Sequence, residues 1–101
     1  TECRKISALA QAWHTPIIPH VWGSGIGLAA SLQFIATLPP APLGLSPIEP
    51  LLEYDQSDHP FRQALIFDAL RMEDGMVQIP NGPGLGIEVN REVLRQYAVP
   101  H

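Results

Sequence analysis

The run Thr15-Pro16-Ile17-Ile18-Pro19-His20 constrains the fold more than any other stretch of the chain. Its β-branched residues favour extended backbone, and its prolines, which lack the N–H that a helix interior requires, forbid helix on both sides. The run therefore reads as a brief buried strand with His20 at its C-terminal end. Gly23, Gly25 and Gly27 follow as a loop into a helix over residues 25–38. That helix is apolar on most of its circumference from Leu28 to Thr37, the pattern of a deeply packed element. Residues 38–50 carry five prolines, so they can only be extended or turning. They deliver the chain to Leu51-Leu52-Glu53-Tyr54, a second short strand with Glu53 near its end. A helix between two short apolar strands is the βαβ order of a parallel sheet, as in an α/β barrel or a doubly wound sheet.

The segments on either side follow different patterns. Over residues 2–13, Ile6, Leu9, Ala10 and Trp13 fall on one helical face, with Thr1 able to cap and Glu2 favourable in the first turn. This predicts an amphipathic helix. Beyond Asp55 the βαβ order stops. Leu70-Arg71-Met72 and Met76-Val77-Gln78-Ile79 flank Glu73-Asp74-Gly75, which predicts a hairpin with glycine where positive φ is needed. Asn81-Gly82-Pro83-Gly84-Leu85-Gly86 reads as a fixed turn. Asn90 is placed to cap a final helix whose apolar contacts would be Val93, Leu94 and Tyr97. No internal repeat is present.

Composition narrows the function classes. With 46% hydrophobic residues and no long charged block, the chain is that of a globular protein. A net charge of −4 argues against a nucleic-acid backbone or an anionic membrane as partner. Cys3, the single cysteine, can form neither an intrachain disulfide nor a cysteine-rich zinc site, which fits a reducing, cytoplasmic setting. The longest apolar candidate, Ile26 to Leu38, is interrupted by Ser31, Gln33 and Thr37 and is too short for a membrane span. There is no signal-peptide pattern, and Thr1-Glu2-Cys3-Arg4-Lys5 leads straight into helical periodicity, so the expectation is a chain that begins mid-protein.

From Pro16-Ile17-Ile18-Pro19-His20 through Val21-Trp22-Gly23-Ser24-Gly25-Ile26-Gly27-Leu28-Ala29-Ala30, the chain resembles the seventh strand and following helix of the mandelate racemase branch of the enolase superfamily. Leu51-Leu52-Glu53-Tyr54 resembles that family's eighth strand. Glu73-Asp74-Gly75-Met76-Val77-Gln78-Ile79-Pro80 resembles its late hairpin, and Gly82-Pro83-Gly84-Leu85-Gly86-Ile87-Glu88-Val89 its tail. The resemblance, which includes the muconate lactonizing enzymes, implies an α/β fold of the TIM-barrel type. Residues 1–55 would be the last part of the barrel, and residues 56–101 would return to an α+β capping domain.

The same resemblance implies chemistry. Barrel enzymes gather catalytic groups at the C-terminal ends of strands, where His20 and Glu53 would stand. The family abstracts a proton next to a carboxylate and stabilises the enediolate on a divalent metal, Mg²⁺. A histidine matching His20 moves the proton, and an imidazole can take and return one near neutral pH. Glu53 matches an acid that donates a hydrogen bond to the substrate carboxylate and would have to be protonated to do so. Glu49 is the competing assignment. Trp22, Gly23 and Ser24 are candidate substrate contacts. The metal carboxylates, a second base and an aspartate that orients the histidine would all lie upstream of Thr1. The expected activity is that of an acid-sugar dehydratase or hydroxy-acid racemase, with a small carboxylate substrate and a homo-oligomeric full-length enzyme.

Plainer readings stand beside these. A strand-end histidine or glutamate is commonly just solvated, Trp22 could serve packing alone, and His14, His59 and His101 read as solvated loop or terminal residues. Gly25-x-Gly27-x-x-Ala30 mimics a dinucleotide fingerprint, but bulky residues separate it from the strand and no acidic residue ends a second strand about 20 positions on. The glycines fit better as a means of bringing backbone amides towards an anionic group. A third reading is a non-catalytic structural or interaction fragment, since no metal ligand set is visible in the chain.

Overall fold

A computed structural model describes residues 1–40 and 49–99. Its elements are α1 (Glu2–Ala12), α2 (Gly25–Ile35), α3 (Pro60–Gln63), β1 (Met72–Glu73), β2 (Met76–Val77) and α4 (Arg91–Gln96).

The core is built around α2. Leu28, Ala29, Leu32, Ile66 and Leu70 are buried together, with Val21, Leu52, Tyr54, Val77, Leu85 and Ile87 packed on them. The predicted deep packing of this helix is thus present, and it joins residues before 55 to residues after 56 in one core. Truncating a buried leucine such as Leu28 or Leu32 would cost about 2–5 kcal/mol through lost transfer energy and the cavity left behind. Ser24 starts the helix, its Oγ accepting from the Gly27 N–H at 3.3 Å. Gly25 follows because the carbonyl of Arg62 on α3 occupies the space that a Cβ would need.

Three polar ties fasten the later segments. The Gln33 side chain donates to the carbonyls of Pro80 at 2.6 Å and Leu85 at 3.3 Å, pinning the glycine-rich turn to α2. Within that turn Gly84 and Gly86 have positive φ. Tyr54 donates its hydroxyl to the Leu70 carbonyl at 2.9 Å. Ile66 and Val89 form an isolated antiparallel bridge, flanked by the Phe67 N–H on the Glu88 carbonyl.

The hairpin forms as expected. Asp74 and Gly75, with φ of 50° and 78°, make a two-residue loop in the left-handed region, which matches the twist of the flanking strands. Asn90 caps α4, its Oδ1 accepting from the N–H groups of Glu92 and Val93. Of the apolar contacts expected for α4, Tyr97 meets the ring of Phe61 at 4.7 Å, while Leu94 is exposed.

Other expectations need correction. Residues 15–20 and 51–54 do not form a hydrogen-bonded parallel ladder; among the described residues the sheet is the β1–β2 hairpin alone. Pro16 and Pro19 remove two of the donors that a ladder would use. The N-terminal helix forms, but Thr1 makes no side-chain cap bond. Its apolar stripe also turns outward: Ile6, Leu9 and Trp13 are 61%, 66% and 77% exposed, while the polar Ser7 and Gln11 line a groove with Leu38 and Leu51. The helix ends in a Schellman motif, with Thr15 N–H on the Ala10 carbonyl, His14 N–H on the Gln11 carbonyl and His14 in left-handed conformation (φ 53°). His14 is exposed, as read from the sequence, and it terminates the helix. The α3 turn was not anticipated. It starts at His59, whose Nδ1 accepts from the Phe61 N–H at 3.2 Å, so His59 is a half-buried cap and not a solvated residue. His101 and most of the proline-rich stretch lie outside the described residues.

Candidate active site

His20 and Glu53 are 33 residues apart in sequence and meet in space. His20 Nδ1 lies 2.7 Å from Glu53 Oε2, and the same oxygen accepts from the Val21 N–H at 3.2 Å. Both side chains are exposed. An oxygen that accepts from the Val21 N–H can accept from the imidazole too, and with Nδ1 turned to Glu53, Nε2 is the ring nitrogen left outside the pair. The bond to Val21 also does for the end of the His20 run what a ladder bond would have done.

The other candidates divide. Glu49, the competing carboxylate, lines a groove of about 180 Å³ with Ser7, Gln11, His14 and Ile18, and neither His20 nor Glu53 lines that groove. Trp22 stands exposed, its ring 6.0 Å from that of His59 in an edge-on arrangement. Gly23 has φ of 137°, which lets the chain turn from Trp22 into the capping Ser24. Ser24 is committed as an acceptor to Gly27 but keeps its hydroxyl proton to donate. Gly25 has a packing reason to be glycine, distinct from anion approach.

Sequence reasoning missed the residues that hold this region. The Asp55 carboxylate accepts from the Ser57 N–H at 2.8 Å and its hydroxyl at 2.9 Å, and it pairs with Arg62. The Ser57 N–H, with the Ser57 hydroxyl and the Arg62 guanidinium, holds the Asp55 carboxyl below its ordinary range against an opposing contribution from burial. The signal available was Asp55-x-Ser57 ahead of His59-Pro60, an Asx turn leading into a capped helix start.

No group of three or more His, Cys, Asp or Glu among the described residues could hold a metal ion. No helix among them is long and apolar enough to cross a membrane.

A histidine and a carboxylate converging at the ends of two extended segments, beside a helix N-terminus, is the site construction of an α/β-barrel enzyme domain. The profile of the enolase C-terminal domain-like family matches residues 1–93. The chain belongs to that family, within the mandelate racemase and muconate cycloisomerase group. It is 47% identical over 100 residues to D-galactarolactone cycloisomerase of Agrobacterium fabrum, covering 99% of this chain and 26% of that enzyme. It is 35% identical over 72 residues to muconate cycloisomerase 1 of Rhodococcus opacus, covering 71% and 17%. It is 30% identical over 97 residues to D-gluconate dehydratase of Thermoproteus tenax, covering 96% and 18%. A crystal structure of a mandelate racemase-subgroup enolase from Agrobacterium tumefaciens superposes with a TM-score of 0.66 at 25% identity, covering 94% of this chain and 24% of that one. The chain thus spans about a quarter or less of the length of the relatives it matches. By name, two of those relatives are cycloisomerases and one is a dehydratase of a sugar acid.

Proposed function

We propose that this chain supplies the His20 side of the active site of an enzyme that removes the proton next to the free carboxylate of an acid sugar or of its lactone. The 2.7 Å approach of His20 Nδ1 to Glu53 Oε2 carries the reading. With Nδ1 engaged, Nε2 is the atom that accepts the substrate proton, and the C–H electron pair passes into the adjoining carboxylate as an enediolate. Loss of an oxygen substituent from the β-carbon then completes the step. In a lactone that keeps a free carboxylate, the oxygen β to that carboxylate is the ring ester oxygen, and it leaves with the former lactone acyl group as a second carboxylate. In an open acid sugar it is a hydroxyl, which leaves as water once protonated.

Glu53 in this reading orients the imidazole, which differs from the substrate-donor role that the resemblance implies. A positioned general base contributes about 10²–10⁴ in rate. Trp22 and the Ser24 hydroxyl border the substrate. The divalent cation, Mg²⁺ by resemblance, would be held by carboxylates outside this chain, and no step here depends on its geometry. The identity to D-galactarolactone cycloisomerase, 47% against 30% for D-gluconate dehydratase, favours lactone opening over dehydration.

The test uses the complete enzyme with Mg²⁺ in D₂O, offering D-galactarolactone and D-gluconate separately and following the substrate C–H signals by NMR. Loss of the signal next to the free carboxylate, with ring opening of the lactone, is expected. No turnover and no exchange with either compound contradicts the proposal.

A further inference from the structure

We propose that Arg62 is a positioning residue for the His20–Glu53 pair, tying together the two loops that carry them; this rests on the function proposed above. Arg62 is 8% exposed, the one buried charged side chain among the described residues. Its Nη1 donates to the carbonyls of Asp55 at 2.8 Å and Ser57 at 2.5 Å. Its Nη2 donates to the Asp55 carboxylate and, at 3.4 Å, to the Ser57 hydroxyl. These bonds fix the turn that begins two residues after Glu53.

The main chain of Arg62 acts on the other loop. Its carbonyl sits where a Cβ of Gly25 would be, so α2 begins against it, five residues after His20. One residue on α3 is thus fastened to the Glu53 loop by its guanidinium and abutted by the His20 loop through its carbonyl. The extended segments show no ladder between them, so besides the bonds that Glu53 itself makes to His20 and Val21, the relative placement of their ends depends on contacts of this kind. The neighbouring His59, against the Trp22 ring, makes the same α3 turn support a third residue of the site.

Arginine suits the task for a physical reason. A planar fork with five donors can serve two carbonyls and a carboxylate at once, whereas a lysine ammonium is a compact point charge without that fixed geometry. The Asp55 partner makes burial of the charge tolerable. The substitution Arg62→Lys would keep the charge and lose most of the fork.

The experiment uses the complete enzyme with Mg²⁺ and D-galactarolactone as probe, comparing wild type, Arg62→Ala, Arg62→Lys and His20→Asn. Arg62→Ala should lower kcat about 100-fold, the cost of roughly 1 Å of misplacement, with KM within about twofold. Free guanidinium should restore part of kcat, and Arg62→Lys should fall in between. If the alanine variant does not fold, the kcat loss in Arg62→Lys carries the test. A folded Arg62→Ala or Arg62→Lys with unchanged kcat and only a lower melting temperature overturns the inference, as does a kcat loss that guanidinium leaves unmoved. Full turnover in His20→Asn, or none in wild type, overturns the proposed function and this inference with it.

Discussion

Gly25→Ala and Gly27→Ala, two residues apart on one helix, should change stability in opposite directions. Both glycines lie in the first turn of α2 and neither has positive φ, so each backbone accepts alanine without strain. Stiffening the unfolded chain should favour alanine at both positions by about 0.4–1 kcal/mol. At Gly27 nothing opposes this, since the nearest atom to a new Cβ is Ser24 Oγ at 3.9 Å. At Gly25 the new Cβ would come about 1 Å too close to the Arg62 carbonyl and within 3.0 Å of Ile66 Cδ1. The carbonyl cannot give way easily, because the same residue is pinned through its side chain to Asp55 and Ser57. Overpacking of this kind costs about 1–3 kcal/mol, and backbone makes the upper end apply, leaving a net loss near 2 kcal/mol. Thermal unfolding of the complete enzyme followed by circular dichroism should show Gly25→Ala melting roughly 4–8 °C lower and Gly27→Ala slightly higher, at about 2–4 °C per kcal/mol for a domain of more than 150 residues. The Gly25 variant should also lose turnover, because the shift begins five residues after His20. Equal melting temperatures, or a Gly25→Ala protein as stable as wild type, would refute the packing account.

Two further outcomes follow from the ties beyond the site. The Asp55 carboxyl is held below its ordinary range, so its contribution to stability is complete above the unfolded pKa and is lost as pH falls through the lowered native one. Unfolding measured between pH 7 and pH 2 should show an acid-side loss that Asp55→Asn flattens, and an unchanged acid slope would contradict the assignment. Gln33→Ala removes the donor to the Pro80 and Leu85 carbonyls and should cost about 1–3 kcal/mol, with hydrogen exchange increased across residues 80–86. Unaltered exchange there would show that the turn holds itself.

Periodicity and turn chemistry make much of the fold legible in the sequence alone. The apolar run of α2, the Asp74-Gly75 hairpin and the Asn90 cap are local signals, each decided by residues within a few positions of one another. The meeting of His20 and Glu53 followed from the resemblance and from the rule that strand ends converge in a barrel. What escaped was short or non-local. The α3 turn has four residues, too few for a period, and a single turn gains little from propensity alone. The Arg62 clamp and the Gln33 hook join positions by tertiary geometry, which no window along the chain reports. The outward face of α1 is a similar case, since Ile6, Leu9 and Trp13 give the correct helix but do not say which surface covers it. His14 adopts a left-handed helix stop usually given to glycine, so the residue type itself was misleading.

The central claim is that His20, oriented by Glu53, takes the substrate proton. The most direct measurement is deuterium incorporation from D₂O next to the free carboxylate of D-galactarolactone, comparing wild type with His20→Asn in the complete enzyme with Mg²⁺. Exchange and ring opening should be abolished in the variant while its fold and metal binding are kept; exchange at the wild-type rate would show that another group removes the proton.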